Sequence, residues 1–150
     1  MDYHLLKIIH ILSATVMIGT GAGSAFYLYI TYKKSQFSTV RDVLKFVIIA
    51  DMIFTTPSVI TQLITGLMLS DILGFTGTVW YWVVLSIGFV ILILWLIAAF
   101  IQVKMKKLIE DKTELPPQFH RLMNAWFYLG IPSFLGAIYL YYLMIYKTFM

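Results

Sequence analysis

Four long apolar runs occupy most of this chain, and they limit the folds that it can adopt. The runs cover residues 3–31, 43–70, 78–103 and 119–146. Each is longer than the roughly 20 residues that an α-helix needs to cross a hydrocarbon layer about 30 Å thick. Because 61% of the 150 residues are hydrophobic and 12% are charged, a soluble domain is excluded. The sequence predicts an all-α, four-transmembrane-helix bundle that forms one integral membrane domain over residues 1–150.

Basic residues collect at two of the three connections between these runs. The second connection carries only Asp71, whereas the first and third are flanked by Lys33, Lys34, Arg41 and Lys45, and by Lys104, Lys106, Lys107, Lys112 and Arg121. Since positively charged loops stay in the cytoplasm, we expect the N-terminus and C-terminus on the outer side. This topology explains the net charge of +4, so the expected surroundings are a lipid bilayer and not nucleic acid.

A polar stripe runs along the second apolar segment. Its members recur at 4-3-4-3 spacing and share one helical face: Asp51, Thr55, Ser58, Gln62 and Thr65. Lipid cannot solvate a carboxylate, so this face must meet other helices or a small wet cavity, and intramembrane ionisable groups are functional candidates. Gln102 and Asn124 are candidate partners of Asp51, and the long side chains of Lys45 and Arg121 could extend inwards towards it. Two interpretations remain open for Asp51. It is either a structural residue that joins helices through hydrogen bonds, or a functional group that relays protons or is linked to a propionate of a cofactor.

His10 lies on a second striped face, on the first helix, together with Lys7, Ala14 and Met17. Its predicted depth is about 10 Å below the outer surface. Gln62 has a similar depth, so the two side chains can meet if the first two helices pack antiparallel. His10 is either a neutral imidazole hydrogen-bonded to its neighbours or an axial ligand of haem iron, for which Met17 offers a thioether.

Small residues and prolines supply the remaining signals. Gly19 and Gly23 form a small-xxx-small pair that favours close packing of a neighbouring helix, although the same glycines could make room for a flat ligand. Pro57 and Pro132 each free a backbone carbonyl and predict bends in the second and fourth helices. With no cysteine in the chain, disulfides, iron–sulfur clusters and thiolate metal sites are excluded.

The pattern of these residues resembles the DUF2269 family of predicted bacterial integral membrane proteins. The resemblance is carried by Leu6 to His10, Gly19-Thr-Gly-Ala-Gly23, Ala50-Asp51-x-x-Phe54-Thr55-x-Pro57, Thr65-Gly66 and Trp126-x-x-Leu129-Gly130-x-Pro132. It covers nearly the whole chain. It implies a multi-pass protein of the bacterial inner membrane and brings no established activity.

The stretch Leu6-Lys7-Ile8-Ile9-His10 also resembles, more distantly, the first helix of the haem-binding membrane protoporphyrinogen oxidase family. That resemblance implies that His10 is a haem ligand and Lys7 a nearby functional cation. The chain departs from that family around Leu94-Trp95-Leu96, where a histidine is expected in the third helix.

These observations lead to one preferred function and two alternatives. The preferred prediction is a small inner-membrane protein that binds haem b, with a redox role and a membrane redox partner; the expected metal ligand is His10. Cofactor contacts are predicted at His10, Lys7, Met17 and Gln62, and a polar track at Asp51, Thr55, Ser58, Thr65 and Asn124. The alternatives are a non-enzymatic structural or complex-forming protein, for example a homo-oligomer, and a proton-coupled small-molecule transporter.

Overall fold

The computed structural model describes residues 2–147, and within them it contains four helices that are long and apolar enough to cross a membrane. We number them first to fourth in chain order: Tyr3–Lys34, Phe37–Ile72, Val79–Ile109 and Pro117–Tyr146. At about 1.5 Å per residue, even the fourth helix, with 30 residues, exceeds the thickness of a hydrocarbon layer. The predicted all-α architecture with four spanning helices is confirmed.

The helices extend beyond the apolar runs, most clearly at the start of the second helix. This helix begins at Phe37 instead of residue 43, because its first turns bury Val40 and Leu44 while Asp42 and Lys45 remain exposed. Such an amphipathic turn is stable at the membrane surface but does not count as a hydrophobic run. Hydropathy therefore marked the apolar part of each helix and missed the turns next to the first and third connections.

Most of the hydrophobic core lies at one end of the bundle, next to the connections at residues 35–36 and 110–116. We call this the basic end, because the two connections are flanked by most of the lysines and arginines. All four helices contribute to the core there: Leu28, Val40, Leu44, Val47, Met105, Ile109, Phe119, Met123 and Trp126. Close packing at this end fixes how the first and second helices meet the third and fourth.

The helices pair differently towards the other end. The first helix packs along the C-terminal half of the second, and the third packs along the fourth. Within residues 2–147, the C-terminal half of the second helix makes no comparable contact with the third or fourth helix. Trp80 ties the third helix to the fourth through a hydrogen bond from its Nε1 to the carbonyl oxygen of Leu143, at 3.0 Å. The bundle is therefore two hairpins joined mainly at the basic end.

A π-helical segment, Asp51–Thr55, interrupts the second helix just before Pro57. Proline has no backbone N–H, so the local i→i−4 pattern cannot be completed. Here the backbone N–H of Thr56 donates to the carbonyl oxygen of Asp51, and the Thr56 hydroxyl donates to the same oxygen at 2.9 Å. The break predicted at Pro57 thus takes the form of a π segment. Such segments occur frequently at functional sites.

The fourth helix continues through Pro132 without interruption, and the bend expected there stays a prediction. The hydroxyl of Ser133 donates to the carbonyl oxygen of Leu129 at 3.0 Å, close to the turn that the proline disturbs. Side-chain hydroxyls of this kind compensate for proline inside membrane helices.

Candidate functional site

His10 lies half-buried between the first helix and the C-terminal half of the second, and both of its ring nitrogens have partners there. Nδ1 is 2.8 Å from the hydroxyl oxygen of Thr65, and Nε2 is 2.9 Å from the amide nitrogen of Gln62. The contact expected between His10 and Gln62 is therefore present. Two residues one turn apart on the second helix hold a single imidazole from the first.

The hydrogen bonds around His10 fix its tautomer. The Thr65 hydroxyl donates its only proton to the carbonyl oxygen of Thr61, at 2.6 Å. Its oxygen must then accept the bond from His10, so the imidazole carries its proton on Nδ1. Nε2 keeps its lone pair and accepts from the Gln62 amide. With these partners the side chain is a neutral imidazole, and its lone pair is on the nitrogen that faces Gln62.

Ser13 completes this network, and the sequence analysis did not identify it. Ser13 is 8% exposed, and its hydroxyl lies 2.7 Å from Gln62 Oε1 and 2.9 Å from the carbonyl oxygen of His10. Its position, three residues after His10, was the available signal, because such pairs share a helix face. When the Ser13 hydroxyl donates to Gln62 Oε1, the amide nitrogen of Gln62 faces the imidazole.

Gly66 packs against the edge of the imidazole ring. A Cβ built on Gly66 would lie 3.2 Å from His10 Cε1 and 3.9 Å from Nδ1. A larger residue would therefore push the ring away from the second helix. The absence of a side chain at position 66 lets the first and second helices approach closely enough for the bonds to Thr65 and Gln62.

Asp51 forms a second polar cluster at the π segment. Thr55 donates its hydroxyl proton to Oδ1 over 2.7 Å, and the amide of Gln102 on the third helix donates to Oδ2 over 2.8 Å. Gln102 is 4% exposed, so this bond joins the two hairpins inside the bundle. Among residues 2–147, no cation lies within 4.0 Å of the Asp51 carboxylate, since the ion pairs found there both involve Asp42.

The remaining predicted residues are distributed over the bundle. Ser58 and Thr65 are buried, and Met17 is partly buried. Lys7 is exposed, with its Nζ 5.8 Å from the centroid of the Tyr3 ring. Asn124 is exposed as well and makes no side-chain hydrogen bond within the described chain, so it is not brought to Asp51.

In the described residues, the glycines of the first helix do not pack against a neighbouring helix, although the small-xxx-small pair predicts that they would. A Cβ built on Gly19, Gly21 or Gly23 would meet nothing within 4 Å. Within residues 2–147, no neighbouring helix packs closely on this face, and the small-xxx-small pair is not used for packing inside the chain. The glycines leave open space at the surface of the first helix.

Carboxylates and histidines do not assemble into a conventional metal centre. No group of three or more histidine, aspartate or glutamate side chains with the geometry to hold a metal ion is found in the described residues. Among the described histidines, His10 is the one that lies part-way along a long apolar helix and packs against a neighbouring helix, because His4 is exposed near the start of the first helix and His120 bonds Tyr32 at the basic end.

Comparison with known proteins identifies the family of this chain. No curated protein and no solved structure is similar to this chain, so the likeness to the haem-binding oxidases rests on the sequence motif around His10. The family model described as predicted integral membrane protein (DUF2269) matches residues 4–148. Because this match covers nearly all of the chain, and the four apolar helices agree with its description, the protein belongs to the DUF2269 family of predicted integral membrane proteins.

Proposed function

We propose that this integral membrane protein binds b-type haem, with His10 Nε2 as an axial ligand, in the inner membrane of a bacterium. The observation that carries the proposal is the contact of His10 Nδ1 with the Thr65 hydroxyl, which itself donates to the Thr61 carbonyl oxygen. A neutral imidazole with its proton on Nδ1 and a lone pair on Nε2 is the form that coordinates iron. Burying an ionisable side chain in a membrane costs free energy, so such residues are usually functional.

Thr65 supports the proposal as the residue that orients the ligand. Histidines that bind metals usually donate their other ring N–H to a carboxylate, a carbonyl or water, which fixes the ring and its tautomer. The Thr65 hydroxyl oxygen, 2.8 Å from Nδ1, would do the same here. Since that hydroxyl is itself bonded to the Thr61 carbonyl, the orientation of the imidazole is determined by the backbone of the second helix.

The fit to a porphyrin depends on Gln62. Its amide nitrogen is 2.9 Å from Nε2, and it must turn away before Nε2 can bind iron. The side chain of Gln62 has rotatable bonds that permit this movement, and Ser13 has a second acceptor in the His10 carbonyl oxygen. We therefore assign Gln62 as the residue that covers the ligand when no haem is bound.

Two further features support the fit. The hairpins separate towards the end that contains His10, and Gly19, Gly21 and Gly23 leave the surface of the first helix free. Lys7 precedes His10 by three residues on the same face, where its ammonium group could pair with a propionate. Haem iron supplies one-electron redox chemistry, so the corresponding role is electron exchange with a membrane partner.

The test is the absorption spectrum of the protein purified from cells that are supplied with a haem precursor. We expect a Soret band that His10→Ala removes. His4→Ala is the matched control, because His4 is on the same helix and is exposed, and this variant should keep the band. Absence of a Soret band from the well-folded wild-type protein, or a band unchanged by His10→Ala, would exclude haem ligation by His10.

A structural role is the alternative that a specific observation favours. Both ring nitrogens of His10 and both carboxylate oxygens of Asp51 are hydrogen-bonded. Polar side chains with all partners satisfied can serve to join membrane helices. In that case no cofactor binds, and the His10 and Asp51 substitutions change only stability or assembly into a larger complex.

Proton-coupled transport is the other alternative, and it concerns Asp51. A carboxylate that lies at a π segment without a cationic partner is a candidate for proton exchange across the bilayer. Vesicles that contain the purified protein would then show proton-driven flux that Asp51→Asn abolishes. Flux that survives this substitution would exclude transport through Asp51.

A further inference from the structure

We propose that the basic end of the bundle binds a phosphate group in a small cavity between the second and third helices. The cavity has a volume of about 60 Å³ and is lined by Arg41, Leu44, Lys45, Lys106, Ile109 and Glu110. This volume has room for a small anionic group. Neither Asp51 nor His10 lines it, so the proposal does not depend on haem binding.

Arg41 provides the strongest evidence for a missing ligand. Its Nε is buried and has no hydrogen-bond partner among residues 2–147. The carboxylate oxygen Oδ1 of Asp42 lies 3.9 Å away, which is beyond hydrogen-bond distance. Buried N–H groups are nearly always paired in native structures. The Arg41 side chain as a whole is 37% exposed, so the guanidinium can turn its N–H groups towards an acceptor oxygen from outside the chain.

The charges around the cavity favour an anion. Arg41, Lys45 and Lys106 bring three cations to its wall, and Glu110 is the carboxylate among the lining residues. Asp42 lies beside them, but its Oδ1 is 4.0 Å from the ammonium of Lys45 and 3.9 Å from Arg41 Nε. Neither cation is closely neutralised. Guanidinium binds phosphate oxygens through paired hydrogen bonds, and lysines add point charges.

Buried core residues that line the cavity fix the position of the two helices that carry these cations. Leu44 is 0% exposed and Ile109 is 1% exposed, and both belong to the main hydrophobic core. The charged side chains therefore project from two helices whose relative position is set by rigid packing. The guanidinium of Arg41 is further positioned over the Phe37 ring, at 5.7 Å from its centroid. A site of this kind is prepared before the ligand arrives, which lowers the entropic cost of binding.

The position of the cavity indicates two sources for the phosphate. It lies at a helix end, next to the apolar part of the second helix, where the headgroup of an anionic phospholipid would reach it. Inorganic phosphate from the aqueous phase carries the same chemistry. Basic pockets between membrane helices are known to bind phospholipid headgroups, and the two sources are separated by experiment.

The experiment uses the purified full chain in a zwitterionic detergent after lipid has been removed. Dioleoylphosphatidylglycerol, dioleoylphosphatidylcholine and inorganic phosphate are added separately, and binding is measured by native mass spectrometry and by the shift of the thermal midpoint. We expect phosphatidylglycerol to bind and stabilise, and phosphatidylcholine to do so less. A comparable shift with inorganic phosphate alone would identify the free phosphate group as sufficient.

Substitutions in the cavity test whether binding occurs there. Arg41→Gln and Lys106→Gln should each weaken binding about fivefold, in line with the usual contribution of one basic residue near a membrane surface. Lys104→Gln is the control, because Lys104 is exposed on the same helix and does not line the cavity. Lys106 is also exposed, so its variant gives an answer even if Arg41→Gln fails to fold. No binding of either probe, or an equal loss in the Lys104 variant, would overturn the proposal.

Discussion

The amide of Gln102 donates a hydrogen bond to Oδ2 of Asp51 over 2.8 Å and thereby links the third helix to the π segment of the second. The two hairpins share their main core at the basic end. This bond is the polar contact that joins them further inside the bundle. The free energy of this bond therefore contributes to the association of the two hairpins.

A double-mutant cycle should measure this link. Asp51→Leu and Gln102→Leu each leave the other side chain without its partner across the hairpins, whereas the double variant removes both side chains. We expect a coupling of about 1 kcal/mol, because hydrogen bonds between membrane helices contribute about 0.6 to 2 kcal/mol. The measurement is unfolding in mixed micelles. Gln118→Leu, at an exposed position, is the control, and additive losses at Asp51 and Gln102 would contradict the link.

The tautomer of His10 gives a direct spectroscopic prediction. The nitrogen chemical shifts of labelled imidazole should show a protonated Nδ1 and an unprotonated Nε2 in the haem-free wild type. Thr65→Val removes the acceptor for the Nδ1 proton, so we expect the tautomer to change and stability to fall by about 1 kcal/mol. Thr65→Ser retains the hydroxyl and should keep both properties. A wild-type spectrum with the proton on Nε2 would refute the assignment.

The length and hydrophobicity of the four runs were enough to predict the fold, because crossing a hydrocarbon layer requires about 20 apolar residues in a helix. The helix ends next to the first and third connections were not predicted; at the start of the second helix, the turns around Val40 and Leu44 mix buried apolar with exposed charged residues. The π segment also lay outside the prediction. Pro57 signals a disturbance of the helix, but the Thr56 contacts that shape it depend on local three-dimensional geometry.

The candidate site was predicted in part for a similar reason. Helical periodicity identified the faces that carry His10 and Gln62, and comparable depth suggested their contact. Ser13 was missed because a single serine in an apolar helix usually has no function beyond a hydrogen bond to the backbone of its own helix. The role of Gly66 depends on an atom of another helix, 3.2 Å from where its Cβ would be, and no pattern within one helix contains that information.

Gly66→Ala tests the close approach between the first two helices. The added methyl group would lie 3.2 Å from His10 Cε1, so the ring must shift and its bonds to the second helix must lengthen. We expect a loss of about 1 to 3 kcal/mol, as for other overpacked positions. At Gly88 an added Cβ meets nothing within 4 Å, and Gly88→Ala should be neutral or slightly stabilising. Equal stability of the two variants would show that the Gly66 contact is unimportant.

Gln62→Leu separates the haem proposal from the structural alternative. The substitution removes the amide that covers His10 Nε2 and leaves the bond between Nδ1 and Thr65 in place. If Nε2 binds iron, haem affinity should rise or stay equal, because no hydrogen bond to Gln62 has to be broken first, even though the haem-free protein loses about 1 kcal/mol of stability. If the network only joins helices, the variant is less stable and shows no Soret band. Titration with haemin and unfolding in micelles measure the two effects separately. A loss of haem affinity larger than the loss of stability would mean that Gln62 contacts the bound cofactor instead of covering its ligand.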